Sequence, residues 1–346
     1  MPGTKNILVI RLSAMGDVAM TVPLLRALLA KYPQLKVTVL SRAFFKPFFD
    51  NIERVDFFAA DVNGRHKGFF GLLRLFKELK ALKIDAVADL HNVLRSKIVT
   101  KLFALTGKST ATTDKARNEK KALTRAEDKI FTQLTPIIQR HVQTFEKLGY
   151  PVDTSKPVFP DQKPLIADVL AVTEEKSGKW IGIAPFAQHQ AKVYPLDLMQ
   201  QVIDKLANIT EYKLFLFGGG KEETAQLKQF ASDKNNVVVT AGKLKLNQEL
   251  NLISHLDLML SMDSGNAHMA AMLGVKVITL WGATHPYAGF APFNQPEDYT
   301  LTADREKYPL LPTSIYGNKI VQGYEDAMRT IMPEAVVNKI DEVLER

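Results

Sequence analysis

Asp263 and Asp17 each stand a short turn beyond an apolar strand and at the mouth of a helix. The first heads Asp263-Ser264-Gly265-Asn266-Ala267-His268, between the strand-like run Leu256 to Leu260 and the apolar run Val275 to Trp281. That is a βαβ unit. A helix start offers unpaired backbone N–H groups and the positive end of the macrodipole, so the crevice at the carboxyl end of such a strand holds phosphate well. The second follows Ile7 to Arg11 through Leu12-Ser13-Ala14-Met15-Gly16, where Gly16 permits close backbone approach and Asp17 puts a carboxylate at the rim. Asp17 fits a proton acceptor, and it equally fits a first-turn acid favoured by the dipole, which would make it a poorer base unless the site is desolvated. Asp263 likewise fits an N-cap beside Ser264, and His268, one turn into its helix, fits a core histidine.

Two further groups belong with these. Lys192 lies in a loop from Ile183 to Pro195 between a strand and a helix, where it can act as a point charge on a phosphate or simply be solvated. Phe217-Gly-Gly-Gly-Lys-Glu222-Glu223 is a glycine turn suited to close approach by a nucleotide, but its spacing is not G-x-G-x-x-G. The seven histidines form no H-x-x-x-H or H-E-x-x-H pair, so no metal site is expected. There is no G-x-S-x-G elbow and no G-x-x-x-x-G-K-[ST] loop, which removes most support from hydrolase and P-loop readings.

The elements that must carry these residues alternate. In the first half, strand-like runs at Ile7 to Arg11, Lys36 to Leu40, Val55 to Ala59 and Ile84 to Asp89 are separated by helical patterns at Asp17 to Lys31, Phe69 to Leu82 and Val93 to Leu105. That is the pattern of a parallel sheet covered on both faces. A helix from Asp128 to Leu148 ends at Gly149, and the proline-rich stretch Tyr150 to Pro164 reads as a linker. The second half repeats the scheme: strands at Trp180 to Ala184, Lys213 to Phe217 and Val237 to Thr240, and helices at Leu196 to Ala207, Lys221 to Ala231 and Gln248 to Ser254. These runs predict an α/β protein of two Rossmann-like domains, residues 1–160 and 161–323. The amphipathic tail from 324 to 346, interrupted near Pro333, is expected to pack back on the first domain.

With 346 residues, 46% apolar and 24% charged, the chain suits a globular protein with two cores, and no run of about 18 apolar residues could span a membrane. The start shows no secretory leader, so the chain is expected to be cytoplasmic, and the absence of cysteine agrees with a reducing compartment. A net charge of +8 implies anionic company. Between Lys108 and Arg125 six basic residues, among them Lys115, Arg117, Lys120 and Lys121, face two acidic ones, which reads as a mobile basic loop or a solvated surface segment. No aromatic residue lies there to stack bases, so nucleic acid is not an expected partner.

Taken together, Ile10-Arg-Leu-Ser-Ala-Met-Gly-Asp-Val18 with Pro23-Leu-Leu-Arg26, the Lys192-Val-Tyr-Pro195 loop, and Asp263 to His268 with Ala270, Ala271 and Gly274 resemble the family 9 glycosyltransferases, the ADP-heptose:lipopolysaccharide heptosyltransferases. The resemblance implies a GT-B fold, its two Rossmann-like domains facing each other across a cleft, with acceptor on the first and nucleotide sugar on the second. It implies transfer with inversion, without a metal or other cofactor, from an ADP-sugar to a lipopolysaccharide core or lipid A-type acceptor. Asp17 matches the general base. Lys192 matches the lysine on the donor's phosphates and Asp263 the acid near the transferred sugar; Ser264, Gly265, Asn266 and His268 follow on the donor side, with Glu222 placed for a ribose hydroxyl. Ser13, Gly16, Lys115, Arg117, Lys120 and Lys121 would meet an anionic glycolipid acceptor, with peripheral contact at the inner membrane surface. Members of the family often carry threonines before the lysine, where this chain has Ala187-Gln188-His189, which leaves another nucleotide sugar open. A glycolipid- or nucleotide-binding protein without turnover is the alternative from another class.

Overall fold

The apolar runs become strands buried on both faces: Ile7, Leu8, Val9 and Ile10 in the first half, and Leu258 through Met262 in the second, have almost no solvent exposure. That is the burial of parallel strands with helices on either side. The computed structural model describes residues 5–346; the reading of the start as leader-free falls largely on Met1 to Thr4, outside them. The chain divides into two compact units, one of residues up to Ala116 with Thr135–Phe159, the other of Arg117–Leu134 with Pro160–Arg346.

In the first unit the order is β1 (Lys5–Ile10), α1 (Met15–Ala19), α2 (Thr21–Lys31), β2 (Leu35–Ser41), β3 (Val55–Ala59), α3 (Gly68–Lys80), β4 (Ala86–Asp89), α4 (Leu94–Leu105) and β5 (Ser109–Thr112). After α5 (Arg117–Thr124), which belongs to the second unit, α6 (Ile137–Lys147) returns to the first. All five strands are parallel in the order β3-β2-β1-β4-β5. The predicted helix from Asp17 to Lys31 is two helices, because Pro23 lacks the N–H that would bond Ala19 and its ring crowds that carbonyl. The helix expected from Asp128 starts only at Ile137, behind Pro136, since the residue before a proline is pushed out of helical geometry.

The second unit contains α7 (Ala167–Thr173), β6 (Lys179–Ala184), α8 (Leu196–Ala207), β7 (Tyr212–Leu216), α9 (Gly220–Phe230), β8 (Val237–Val239), α10 (Leu246–Ile253), β9 (Leu258–Met262), α11 (Gly265–Met272), β10 (Lys276–Trp281), β11 (Thr300–Thr302) and α12 (Pro333–Glu345). Its six parallel strands run β11-β10-β9-β6-β7-β8. No helix among the described residues is long and apolar enough to cross a membrane.

Two expectations are corrected here. The C-terminal helix belongs to the second unit: Val336, Ile340 and Val343 of α12 form one stripe, fully buried in that unit's core with Met199, Val202 and Leu206 of α8. Polar contacts hold it there as well, from Tyr212 Oη to Asp341 at 2.9 Å and from Lys276 Nζ to the Val343 carbonyl at 2.8 Å. Nor is the basic segment a loop. Its first part is edge strand β5 and its second is α5, anchored by buried Leu123 in a cluster with Leu134, Ala288, Phe131, Tyr287 and Phe290. The apolar contacts of α5 therefore lie with the second unit, both in the segment that follows it and in the distant residues Tyr287, Ala288 and Phe290.

Candidate functional site

In the first sheet the chain passes from β1 out to β3 and returns to β4 on the opposite side of β1. Such a reversal leaves a crevice outside the carboxyl ends of the two strands, where α/β sheets take their ligands. Asp17 follows β1 and Asp89-Leu90-His91-Asn92 follows β4. Buried Arg11 joins the two turns: its Nη1 donates to the Leu90 carbonyl at 2.6 Å and its Nη2 pairs with Asp17 Oδ2. The same oxygen accepts the Ala14 amide at 3.2 Å, so Asp17 is fixed by its own turn and by an arginine that is itself anchored on the turn after β4. Ser13 and Gly16, part-exposed, lie in that turn.

Asp89 is fully buried and shapes the turn after β4. Its Oδ1 accepts the amides of His91 and Asn92 at 3.0 and 2.9 Å, and its Oδ2 accepts the Ser96 hydroxyl at 3.0 Å. Burial raises its pKa, with those donors opposing. His91 is buried too; desolvation first, then the charges of Arg11 and Lys115, push it down to about 3. Near neutral pH it is an uncharged imidazole beside a carboxylate held by an arginine. Arg11, Asp89 and His91 were not singled out from sequence, although a polar Asp-Leu-His-Asn directly after a buried strand was the available signal.

In the second sheet the reversal falls between β6 and β9. Lys192, in a single 3-10 turn Gln190–Lys192 beyond β6, meets Asp263, beyond β9, with Nζ 2.9 Å from Oδ2. The two side chains are only 14% and 9% exposed, which makes this a buried ion pair. Ser264 has extended backbone and its hydroxyl turns to Ser261 Oγ at 3.1 Å, so no side chain caps the first amides of α11 at Gly265 and Asn266. His268 is buried in the same helix. The arrangement joins a lysine to a helix N-terminus at one crevice, which is chemistry for an anionic ligand.

The loop around Lys192 is held by a segment that sequence reasoning passed over. The Ala191 carbonyl accepts the Ala283 amide at 3.2 Å, and the Ala283 carbonyl accepts those of Thr313 and Ser314. Gly317, at a φ of +75° that disfavours side chains, donates its amide to Ser314 Oγ at 2.9 Å. A Cβ there would collide with Cγ and Cδ of Lys192. Glu222 is exposed in the first turn of α9, after β7, while its neighbour Glu223 accepts the Gly219 amide at 2.8 Å.

The predicted basic residues separate. Lys115 stays with the first unit, where its charge is felt by His91 and Asp89. Arg117, Lys120 and Lys121 lie on α5; Lys120 is buried with Nζ 4.2 Å from the centre of the Phe290 ring, and Arg117 and Lys121 are exposed. Among the described residues no three histidine or carboxylate side chains come together as metal ligands would.

The family model described as Glycosyltransferase family 9 (heptosyltransferase) matches residues 72–312. A lipooligosaccharide heptosyltransferase 2 of Haemophilus influenzae is 27% identical, the alignment covering 98% of this chain and 99% of the relative. Among solved structures, a glycosyl transferase family 9 protein from Veillonella parvula superposes with a TM-score of 0.77 at 19% identity, over 100% of this chain and 98% of the other. The E. coli heptosyltransferase WaaC with ADP gives 0.70 at 18% identity, over 98% and 99%.

Proposed function

Since the chain belongs to glycosyltransferase family 9, the heptosyltransferases, and has their two-sheet GT-B fold, we propose that it transfers a heptose from an ADP-sugar to an anionic lipopolysaccharide-core acceptor, without a metal and with inversion. The observation that carries the reading is the Lys192–Asp263 pair beside the uncapped start of α11, at the reversal point of the second sheet. Lys192 has two N–H groups left for the donor's phosphates, and the amides at Gly265 and Asn266 are oriented for the same anion. Both would stabilise the charge that grows on the departing diphosphate. Ser264 and His268 border that anion site, Asp263 stands next to the sugar, and exposed Glu222 is available to a ribose hydroxyl.

On the other unit Asp17 would take the proton of the acceptor hydroxyl as its oxygen attacks the anomeric carbon and ADP leaves. Arg11 fixes the carboxylate oxygen for that task, and Ser13, Gly16 and Lys115 border the acceptor. Arg117 and Lys121, exposed on α5, are available to acceptor anions, while Lys120 is buried against the Phe290 ring. With an anionic glycolipid as acceptor, the enzyme works in peripheral contact with the cytoplasmic face of the inner membrane.

The test is transfer from ADP-heptose to a lipopolysaccharide-core acceptor, with a thermal-shift panel of ADP, UDP and GDP beside it. Asp17→Asn is expected to abolish transfer and keep the ADP-induced rise in Tm. Stabilisation by UDP or GDP in place of ADP would discard the donor assignment, and near-normal turnover by Asp17→Asn would remove it as the base.

A further inference from the structure

Among the described residues seven large apolar side chains of the first unit are left in solvent; beside Leu82, Leu105 and Val158 there are four that belong together, Phe44 at 57%, Phe69 at 60%, Phe70 at 84% and Leu94 at 77% exposure. Topology puts all four on one edge of the sheet. Phe44 is in the 3-10 turn Ala43–Phe48 directly after β2; Phe69 and Phe70 are in the first turn of α3, after β3; Leu94 is the first residue of α4, after β4. Parallel strands end on the same side, and helices that cross back begin there, so this edge is also where Asp17 follows β1. Folding alone does not account for them: α3 buries Leu72, Leu75 and Leu79, and α4 buries Val99 and Phe103, which leaves Phe70 and Leu94 on the opposite faces and Phe69 to the side of its stripe.

The same edge is basic. Arg42, Lys67, Arg95 and Lys97 flank these apolar residues, and none of the four makes an ion pair among the described residues. The acids nearby are engaged: Asp17 with Arg11, Asp61 with the amides of Gly64 and Arg65, and Asp89 within its turn. Exposed aromatic side chains framed by unpaired cations are the composition of a surface that lies in the headgroup region of an anionic bilayer.

We propose that the carboxyl edge of the first sheet, through Phe44, Phe69, Phe70 and Leu94, is a membrane-docking surface for an anionic bilayer. It brings Asp17 to an acceptor that stays anchored in lipid. This specifies the surface for the peripheral contact proposed above, and its own test does not depend on transfer activity.

The full chain would be sedimented with vesicles of phosphatidylethanolamine and phosphatidylglycerol at 3:1, and with vesicles of phosphatidylcholine alone. Wild type is expected to bind the anionic vesicles and lose binding as salt rises; Phe69→Ser with Phe70→Ser is expected to bind at least tenfold more weakly. Lys67→Gln with Arg95→Gln should lower binding roughly fivefold for each charge removed. All these positions are at the surface, so circular dichroism should show native folds. Failure of wild type to bind anionic vesicles, or equal binding by Phe69→Ser with Phe70→Ser, would overturn the assignment. So would light scattering that shows the Phe variant breaking a dimer with vesicle binding unchanged, because the patch would then serve a second copy of the chain. Transfer to a deacylated acceptor should be unchanged in the Phe variant while transfer to vesicle-borne acceptor falls, which separates docking from chemistry.

Discussion

Asp263 pairs with Lys192, the cation proposed for the donor's diphosphate, so the two residues carry opposite predictions. Lys192→Met removes a charged hydrogen-bond donor to phosphate, a contact of about 1.5–3 kcal/mol, which is roughly 10- to 150-fold in Kd for ADP. Asp263→Asn removes the competitor instead. With side chains only 14% and 9% exposed, the pair belongs to the buried class, where loss of one partner strands the other and costs about 3–5 kcal/mol. In a unit of this size that corresponds to roughly 6–20 °C in Tm. ADP would then supply the missing counter-charge, so the ADP-induced rise in Tm should be larger in Asp263→Asn than in wild type, and ADP affinity by calorimetry should be equal or higher. Lys192→Met with Asp263→Leu, which leaves no stranded charge, should recover most of the stability and none of the ADP affinity. If Asp263→Asn loses ADP as steeply as Lys192→Met, the pair acts as one binding unit and the competition argument is wrong. An unchanged Tm would show that the pair behaves as a solvated one.

Other consequences can be measured on the same protein. Gly317→Ala places a methyl group against the stem of Lys192 at a positive φ, and is expected to weaken ADP binding severalfold with Lys192 itself intact; unchanged affinity would free Lys192 from that support. His91 and His141 are lowered to about 3 and His285 to about 4, chiefly by burial, so the unfolded chain protonates first, near 6.5. Stability should be complete above that pH and fall below it, by about 1.4 kcal/mol per histidine at pH 5.5, readable in denaturant melts across pH. Glu249 is raised to about 7 by burial, so its ionisation opposes folding increasingly from its ordinary pKa up to that value. Glu249→Gln should accordingly raise Tm at pH 8 and raise it much less at pH 5, where the penalty has fallen to about 1 kcal/mol; equal shifts at both would exclude titration as the cause.

Elements whose cause is local were readable before the structure. Val55–Ala59 and Leu196–Ala207 match their predicted bounds, because an apolar run closed by turn residues and a stripe such as Met199, Val202, Ile203 and Leu206 each encode their own partner face. The errors arise where the partner is distant. Strand β5, Ser-Thr-Ala-Thr, has no apolar signal, since an edge strand needs only one neighbour. The stripe on α12 is plain in the sequence, but a stripe does not say which sheet it covers.

The same distinction runs through the site. Asp17, Lys192 and Asp263 could be picked out because each belongs to a strand-turn-helix that is visible within about ten residues. What makes Asp17 more than a first-turn acid is Arg11, and Arg11 is fixed by a carbonyl 79 residues away that lies beside it only because the chain returns to β4 next to β1. Likewise Lys192 owes its position to Asp263 and Gly317, brought to it by the reversal at β9 and by a glycine whose φ no side chain would favour. Residues that supply charge are therefore found in motifs, while those that aim it are found only in the topology. Substitutions at Arg11 and Gly317 should for that reason disturb function with the recognisable motifs left untouched.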